Sequence, residues 1–254
     1  MYASVIAFAR GLFALQGLRC TINGAENVPR TGGAVMTVNH TGYLDFALAG
    51  LAARPAGRLV RFMAKEQVFR HPVSGPLMRG MRHIPVDRDA GAASYRAAVQ
   101  ALKAGEIVGV FPEATISRSF ELKEFKSGAV RMAAAAGVPL LPTVVWGSQR
   151  IWTKDHPKRL GRTRTPIILS VGSPIPTSRK DDPEVVLHSL RKAMTELLHA
   201  AQDAYPPLTG DDLKFLPARL GGAAPTPEQA EQLDLAEAAA RAAESPTHPE
   251  APSE

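Results

Sequence analysis

Of the 254 residues, 45% are apolar and only Cys20 is a cysteine, which is typical of a globular domain and excludes a disulfide framework. The net charge is +6, but residues 221–254 contain seven acidic side chains against Arg241 alone, so residues 1–220 carry +12. Such a basic body predicts an anionic partner, whether nucleic acid, membrane phosphate or an anionic small substrate.

Residues 1–22 predict an amphipathic N-terminal helix. Arg10 and Arg19 interrupt its apolar run, so the segment is too broken to span a bilayer, and no secretory cleavage site follows it. The pattern suits a helix lying in the membrane interface, with Phe8 and Phe13 turned toward the acyl chains. A helix packed on the domain is the alternative, and the pattern supports both equally.

Residues 23–218 predict one domain in which short apolar strands alternate with helices. Strands are expected at residues 34–39, 58–64, 84–86, 107–111, 138–145 and 166–171, and helices at residues 46–53, 67–81, 91–104, 126–136 and 183–204. This alternation favours an α/β fold with a largely parallel sheet flanked by helices. The proline of strand 84–86 predicts a sheet edge or a strand end.

The C-terminal residues 219–254 are rich in alanine, proline and glutamate and contain few large apolar side chains. Such a segment buries too little apolar surface to offset the entropy of ordering. We therefore predict a disordered acidic tail, with a short helix possible at residues 227–243.

The stretch Asn39-His40-Thr41-Gly42-Tyr43-Leu44-Asp45 follows the first predicted strand. A histidine beside a carboxylate is the minimum apparatus for taking a proton from a hydroxyl near neutral pH. Residues five apart do not face each other on a helix, so contact between His40 and Asp45 requires a break, which Gly42 could provide through its backbone freedom. The alternative is a strand-end histidine beside a helix-capping aspartate.

Three further polar residues, Lys65, Arg88 and Glu113, also come at the ends of predicted strands. In open α/β sheets, functional groups gather beyond the carboxyl ends of the strands, so we expect these residues to converge with His40. Arg88 suits a phosphate, with a surface ion pair to a neighbouring aspartate as the alternative.

The segment Phe111-Pro112-Glu113-Ala114-Thr115-Ile116-Ser117-Arg118 places a carboxylate and small hydroxyl groups at a strand end. Glu113 and Thr115 could position a polyol by hydrogen bonds, and Arg118 adds a cation. The alternative is a turn whose glutamate caps the next helix.

Four blocks in this order, N-H-x-x-x-x-D, G-x-x-x-I-P-V-D-R, F-P-E-x-T and V-P-L-L-P, occupy residues 39–142. The set resembles the glycerolipid acyltransferases of the 1-acylglycerol-3-phosphate acyltransferase (PlsC-like) type. The resemblance implies transfer of an acyl group from acyl-CoA or acyl carrier protein to a lysophospholipid hydroxyl, with no other cofactor. It assigns His40 as general base, Asp45 as its orienting group, Arg88 as a phosphate ligand and Glu113 as an acceptor-placing group.

The third block departs from the family pattern F-P-E-G-T-R-S, because Ala114 replaces the glycine and Ile116 replaces the arginine. A cation is therefore missing from its usual position. Arg118 or Lys126 could supply the charge, or the acceptor could be a different lipid.

Residues 146–164 combine two tryptophans with six basic side chains, which favours contact with an anionic membrane over a solvated loop. The leading interpretation is a peripheral acyltransferase on the cytoplasmic face of the cell membrane. A basic membrane or nucleic-acid binding module is the competing class, but no nucleic-acid motif supports a nucleic-acid partner. No metal is expected, since ligand spacings such as H-E-x-x-H are missing from the sequence.

Overall fold

A computed structural model of the protein describes residues 2–87 and 91–244. The chain divides into two units, each with its own internal packing. The first consists of Met1–Ile116 with Leu122–Pro207, and the second of Ser117–Glu121 with Leu208–Glu254. The described helices are α1 (Tyr2–Leu15), α2 (Asp45–Ala52), α3 (Glu66–Arg70), α4 (Ser74–Gly80), α5 (Gly91–Lys103), α6 (Gly128–Ala136), α7 (Pro183–Asp203) and α8 (Pro227–Glu244).

The first unit is built around one seven-stranded sheet. Its strands are β1 (Arg19–Asn23), β2 (Ala34–Val38), β3 (Val60–Lys65), β4 (Ile84–Val86), β5 (Ile107–Val110), β6 (Leu140–Trp146) and β7 (Pro166–Val171), in the order β1-β7-β6-β2-β5-β3-β4. All neighbouring pairs are parallel except β6 with β7, which is antiparallel. The predicted α/β class is confirmed, and β4 with its Pro85 is an edge strand as predicted.

The central strand β2 is buried at all five positions, because helices cover both faces of the sheet. Alternate side chains of a strand point to opposite faces. Met36 packs with Leu48 of α2 and Phe13 of α1, whereas Val35 packs with side chains of α5, α6 and α7 such as Leu190. Two apolar cores therefore hold β2 and the residues that follow it in a fixed position.

The helix predicted over residues 1–22 is shorter in the structure. Helix α1 ends at Leu15, and residues 19–23 form β1, which pairs in parallel with β7. The strand was missed because its exposed, partly polar sequence Arg19–Asn23 lacks the apolar run of the other strands. The helix predicted at 67–81 is two short helices, α3 and α4, separated at Pro72, since proline cannot continue a helix.

Helix α1 carries two apolar stripes, and only one of them is packed. Val5 lies against the cluster of Phe69, Met78 and Met81. Phe13 is 5% exposed and belongs to the main core, so the expectation that Phe13 faces acyl chains is wrong. The second stripe, Phe8, Leu12 and Leu15, faces outward, with Phe8 73% and Leu15 76% exposed.

The second unit is more ordered than the predicted tail, although the helix named as possible at residues 227–243 is present. It is α8, residues 227–244, whereas residues 245–254 lie outside the described part of the chain. Within this unit the Arg118 guanidinium forms ion pairs with Asp234 and Glu237 of α8. Helix–loop ion pairing of this kind supplies order that the composition of the tail alone does not reveal. The domain boundary also moves, because residues 208–218 belong to this unit.

Candidate active site

The turn between β2 and α2 brings His40 and Asp45 together. His40 Nδ1 lies 3.0 Å from Asp45 Oδ2, with the His40 side chain 20% exposed and Asp45 fully buried. Asp45 is the first residue of α2, so the contact is made across a non-helical turn, as its five-residue spacing requires. An Nδ1–H that donates to Asp45 leaves Nε2 as the nitrogen able to accept a proton.

Asp45 accepts hydrogen bonds from every side. Its Oδ2 also receives the backbone N–H groups of Thr41, at 2.7 Å, and Gly42, at 2.8 Å. Its Oδ1 accepts from the Ser148 hydroxyl, which lies in the turn after β6. These contacts fix the carboxylate, which in turn fixes the orientation of the imidazole.

Two neighbouring residues explain the shape of the turn. The amide of Asn39 bridges to β6, donating to the Val145 carbonyl at 3.1 Å and accepting from the Val145 N–H at 2.7 Å. Gly42 is required by close approach, since a Cβ atom there would lie 3.0 Å from Ser148 Oγ and 3.0 Å from the Trp152 carbonyl. The expected role of Gly42 in a special backbone conformation is not observed, because its φ is not positive.

Glu113 lies buried at the end of the neighbouring strand β5 and holds the backbone of the site. Its Oε1 accepts from the His40 N–H at 2.9 Å and its Oε2 from the Lys123 N–H at 3.0 Å. Burial raises the pKa of Glu113 to about 8, although the two backbone N–H groups partly offset that effect. The carboxyl group therefore positions the histidine through its main chain.

A row of stacked aromatic rings packs against one face of the His40 imidazole. The His40 ring stacks on Phe111, with centroids 4.1 Å apart, and Phe111 stacks on Phe62 at 5.9 Å. His83 touches the same row and accepts from the Phe62 N–H at Nδ1, at 2.9 Å. Burial and the nearby Arg61 lower the pKa of His83 to about 4, so this histidine is neutral and structural.

The other predicted site residues fall in different places. Thr115 lies near Glu113, and its hydroxyl accepts from Lys123 Nζ at 2.7 Å. Lys65 is exposed at the end of β3, on the same edge of the sheet, and Lys126 is exposed just before α6. Arg118 belongs to the second unit, where it is ion-paired with α8. Arg88 lies outside the described residues.

Two residues near the site were not predicted. Neither Ser148 nor Lys123 was recognised as part of a sequence motif. Their contacts depend on the paths of β6 and of the loop 111–127 in space. Trp146 is buried against Tyr205, so the expectation that it faces a membrane is wrong. Trp152 contacts the Tyr43 ring and the Lys158 ammonium, and its membrane contact stays a prediction.

The fold and the site together place a histidine–aspartate pair at the carboxyl edge of an α/β sheet, an arrangement that is able to act as a general base. Such a pair can deprotonate a hydroxyl group, with Nε2 of His40 as the accepting atom. The model of the Acyltransferase family matches residues 19–146, half of the chain and the part that contains every strand from β1 to β6. The chain belongs to this acyltransferase family.

Named relatives agree with this family. The chain is 34% identical over 123 residues to a 1-acyl-sn-glycerol-3-phosphate acyltransferase of Bacillus subtilis, covering 48% of this chain and 60% of the relative. A protein of the same name from Borreliella burgdorferi is 26% identical over 144 residues, covering 56% of each chain. The chain thus spans less than two thirds of these relatives.

A solved structure has the same fold. The 1-acyl-sn-glycerophosphate acyltransferase PlsC from Thermotoga maritima superposes with a TM-score of 0.67 at 20% identity, over 81% of each chain.

Proposed function

We propose that the protein transfers an acyl group from a thioester, acyl-CoA or acyl carrier protein, to the free hydroxyl of 1-acyl-sn-glycerol 3-phosphate, giving phosphatidic acid. The observation that carries the proposal is the contact of 3.0 Å between His40 Nδ1 and Asp45 Oδ2. The printed names of the relatives support the choice of acceptor. Acyl transfer to another lipid is the alternative that Ile116 keeps open.

In the proposed reaction His40 Nε2 takes the proton of the acceptor hydroxyl as its oxygen attacks the thioester carbonyl. Asp45 holds the ring through Nδ1 and stabilises the imidazolium that forms. Collapse of the tetrahedral intermediate breaks the C–S bond, and the imidazolium returns its proton to the leaving thiolate. One C–O bond forms, one C–S bond breaks, and no acyl-enzyme is needed.

Glu113 supports this reaction by fixing the backbone of His40, so it acts as a positioning residue. The resemblance assigns Arg88 to the acceptor phosphate, and we keep that assignment as a proposal. A phosphate bound by a guanidinium gains charge-assisted hydrogen bonds, which would anchor the acceptor in the site.

The test is release of thiol from acyl-CoA, and separately from acyl carrier protein, with and without the lysolipid. We expect acceptor-dependent release that His40→Ala lowers by a factor of about 10²–10⁴, the usual worth of a general base. Lys103→Met, at the exposed end of α5, is the control for activity lost through a general effect of substitution on folding. Failure across a panel of lysolipids with both donors would support the binding-module alternative.

We propose further that the protein works at the cytoplasmic face of the cell membrane as a peripheral protein. Support comes from the outward stripe Phe8, Leu12 and Leu15 of α1, an i, i+4, i+7 spacing along one face. Val73, 69% exposed, and Leu77 add apolar surface around α4, which α1 contacts through Val5. Among the described residues, no helix is long and apolar enough to cross a membrane.

Sedimentation with anionic vesicles tests this second proposal. Phe8→Ser with Leu15→Ser should weaken binding by about tenfold or more, since each buried apolar side chain contributes about 1.5–3 kcal/mol. Val185→Ser on α7, also an exposed apolar residue, is the control and should bind like wild type. Raised salt should weaken binding because the body is basic. Equal binding by all variants would contradict the assignment of this surface.

A further inference from the structure

The third block does not supply the cation that the resemblance leads one to expect. Position 116 is an isoleucine that is 4% exposed. Arg118 is engaged by two carboxylates of α8 within the second unit, with its Nη2 at 2.8 Å from Glu237 Oε2. If the acceptor carries a phosphate, a group beside Glu113 that replaces the missing arginine would act together with the proposed ligand Arg88.

Lys123 is tied to the site by two separate contacts. Its backbone N–H donates to Glu113 Oε2 at 3.0 Å, and its ammonium donates to the Thr115 hydroxyl at 2.7 Å. The other oxygen of Glu113 accepts from the backbone of His40 at 2.9 Å. One buried carboxyl group thus holds both the base and the residue that carries the cation.

We propose that the Lys123 ammonium, together with the Thr115 hydroxyl, binds the phosphate of the acceptor lipid. This inference rests on the proposed function and names the residue that replaces the missing arginine. The Thr115 oxygen accepts from Lys123, which leaves its own O–H as a donor. An ammonium and a hydroxyl side by side offer charge and a directed donor, the combination that a phosphate monoester needs.

The contacts of Lys123 allow phosphate binding by its ammonium to be distinguished from a structural role of the residue. The bond to Glu113 comes from the main chain and is kept by any residue other than proline at this position. Replacing the ammonium therefore removes the charge and the bond to Thr115 while the support of His40 remains. Lys123→Met removes the charge at nearly constant length, and Lys123→Arg restores a cation.

The experiment compares two acceptors that differ only in the phosphate, 1-acylglycerol 3-phosphate and 1-acylglycerol, with one acyl-CoA as donor. For Lys123→Met we expect KM for the phosphate-bearing acceptor to rise about 10- to 100-fold, as for the loss of a charged hydrogen bond. Transfer to the phosphate-free acceptor should stay at the wild-type level. Lys123→Arg should recover part of the loss, and Lys103→Met should behave as wild type.

Several results would overturn the inference. An equal loss of acyl transfer to both acceptors in Lys123→Met would show that Lys123 supports the loop. No loss with either acceptor would show that Lys123 does not bind the acceptor. A phosphate-specific loss in Lys126→Met with none in Lys123→Met would assign the cation to Lys126.

Calorimetric binding of glycerol 3-phosphate separates this inference from the proposed function. If the wild type transfers nothing, the proposed function fails. Binding by the wild type that Lys123→Met abolishes would still support the anion site, whereas wild-type binding in that variant, or none in the wild type, would overturn it.

Discussion

The Ser148 hydroxyl donates to Asp45 Oδ1, the oxygen of that carboxylate that does not face His40. Ser148 lies after β6, whereas Asp45 begins α2, so the contact joins two elements 103 residues apart in the chain. It completes the set of donors around a carboxylate that is fully buried. The orientation of His40, the proposed general base, therefore depends on a residue far from its motif.

We expect Ser148→Ala to lower kcat about tenfold with little change in KM, because Asp45 Oδ1 loses its donor and the imidazole is held less firmly. The fold should lose about 1–3 kcal/mol, the cost of a buried acceptor left unsatisfied. Steady-state kinetics and urea unfolding measure both. Ser189→Ala, an exposed serine on α7, is the control and should change neither quantity.

Asp45→Asn should be far more damaging to catalysis. The asparagine oxygen can replace Oδ2 toward Thr41 N–H, Gly42 N–H and the imidazole, with its NH₂ group toward the Ser148 hydroxyl, which can accept. The negative charge that stabilises the imidazolium is lost, however, and kcat should fall by about 10²–10⁴. A loss below about tenfold would show that Asp45 does not orient the base.

The buried carboxyl group of Glu113 should make stability depend on pH. Its pKa is raised to about 8, so the folded chain keeps a proton that the unfolded chain releases above about 4.5. The free energy of unfolding should therefore fall as pH rises from 4.5 to 8, by up to about 1.4 kcal/mol per pH unit.

His83 opposes this effect at lower pH, because its pKa of about 4 makes the folded chain bind fewer protons than the unfolded chain below about 6.5. The Glu113 contribution is therefore clearest between pH 6.5 and 8. Urea unfolding across that range should show a falling free energy for the wild type and a flatter profile for Glu113→Gln. Parallel profiles would contradict the raised pKa of Glu113.

The sequence was sufficient to predict the His40–Asp45 pair and the sheet edge at which it lies. His40 and Asp45 are separated by one short turn, so their contact follows from local spacing. The strands β2 and β5 are predictable because each is a run of apolar residues. The ends of parallel strands then place Glu113 beside His40 without further information.

Ser148 and Lys123 could not be found in the same way. Their partners are set by the register of β6 against β2 and by the path of the loop 111–127, which are tertiary properties. The role of Arg118 was hidden for a related reason, since its partners lie in α8, more than a hundred residues away.

Ala114 occupies a backbone conformation that favours glycine, with φ of 63°. The family pattern has glycine at this position, so Ala114→Gly should stabilise the fold by about 1 kcal/mol, the typical left-handed penalty of a Cβ atom. Thermal and urea unfolding measure the change. Ala97→Gly, in the exposed interior of α5, is the matched control and should destabilise by about 1 kcal/mol. The same sign for both variants would contradict the strain at Ala114.

The ion pairs of Arg118 should hold α8 within the second unit. The Arg118 side chain is 8% exposed, against 20% for Asp234 and 27% for Glu237, so solvent screens the pairs only partly. Arg118→Met leaves two carboxylates without this partner and should speed proteolysis of α8 about tenfold. Arg96→Met, an exposed arginine on α5, is the control. A double-mutant cycle with Asp234→Ala should give a coupling energy of about 1–2 kcal/mol, which falls in high salt, whereas additive effects would show that the pair contributes nothing.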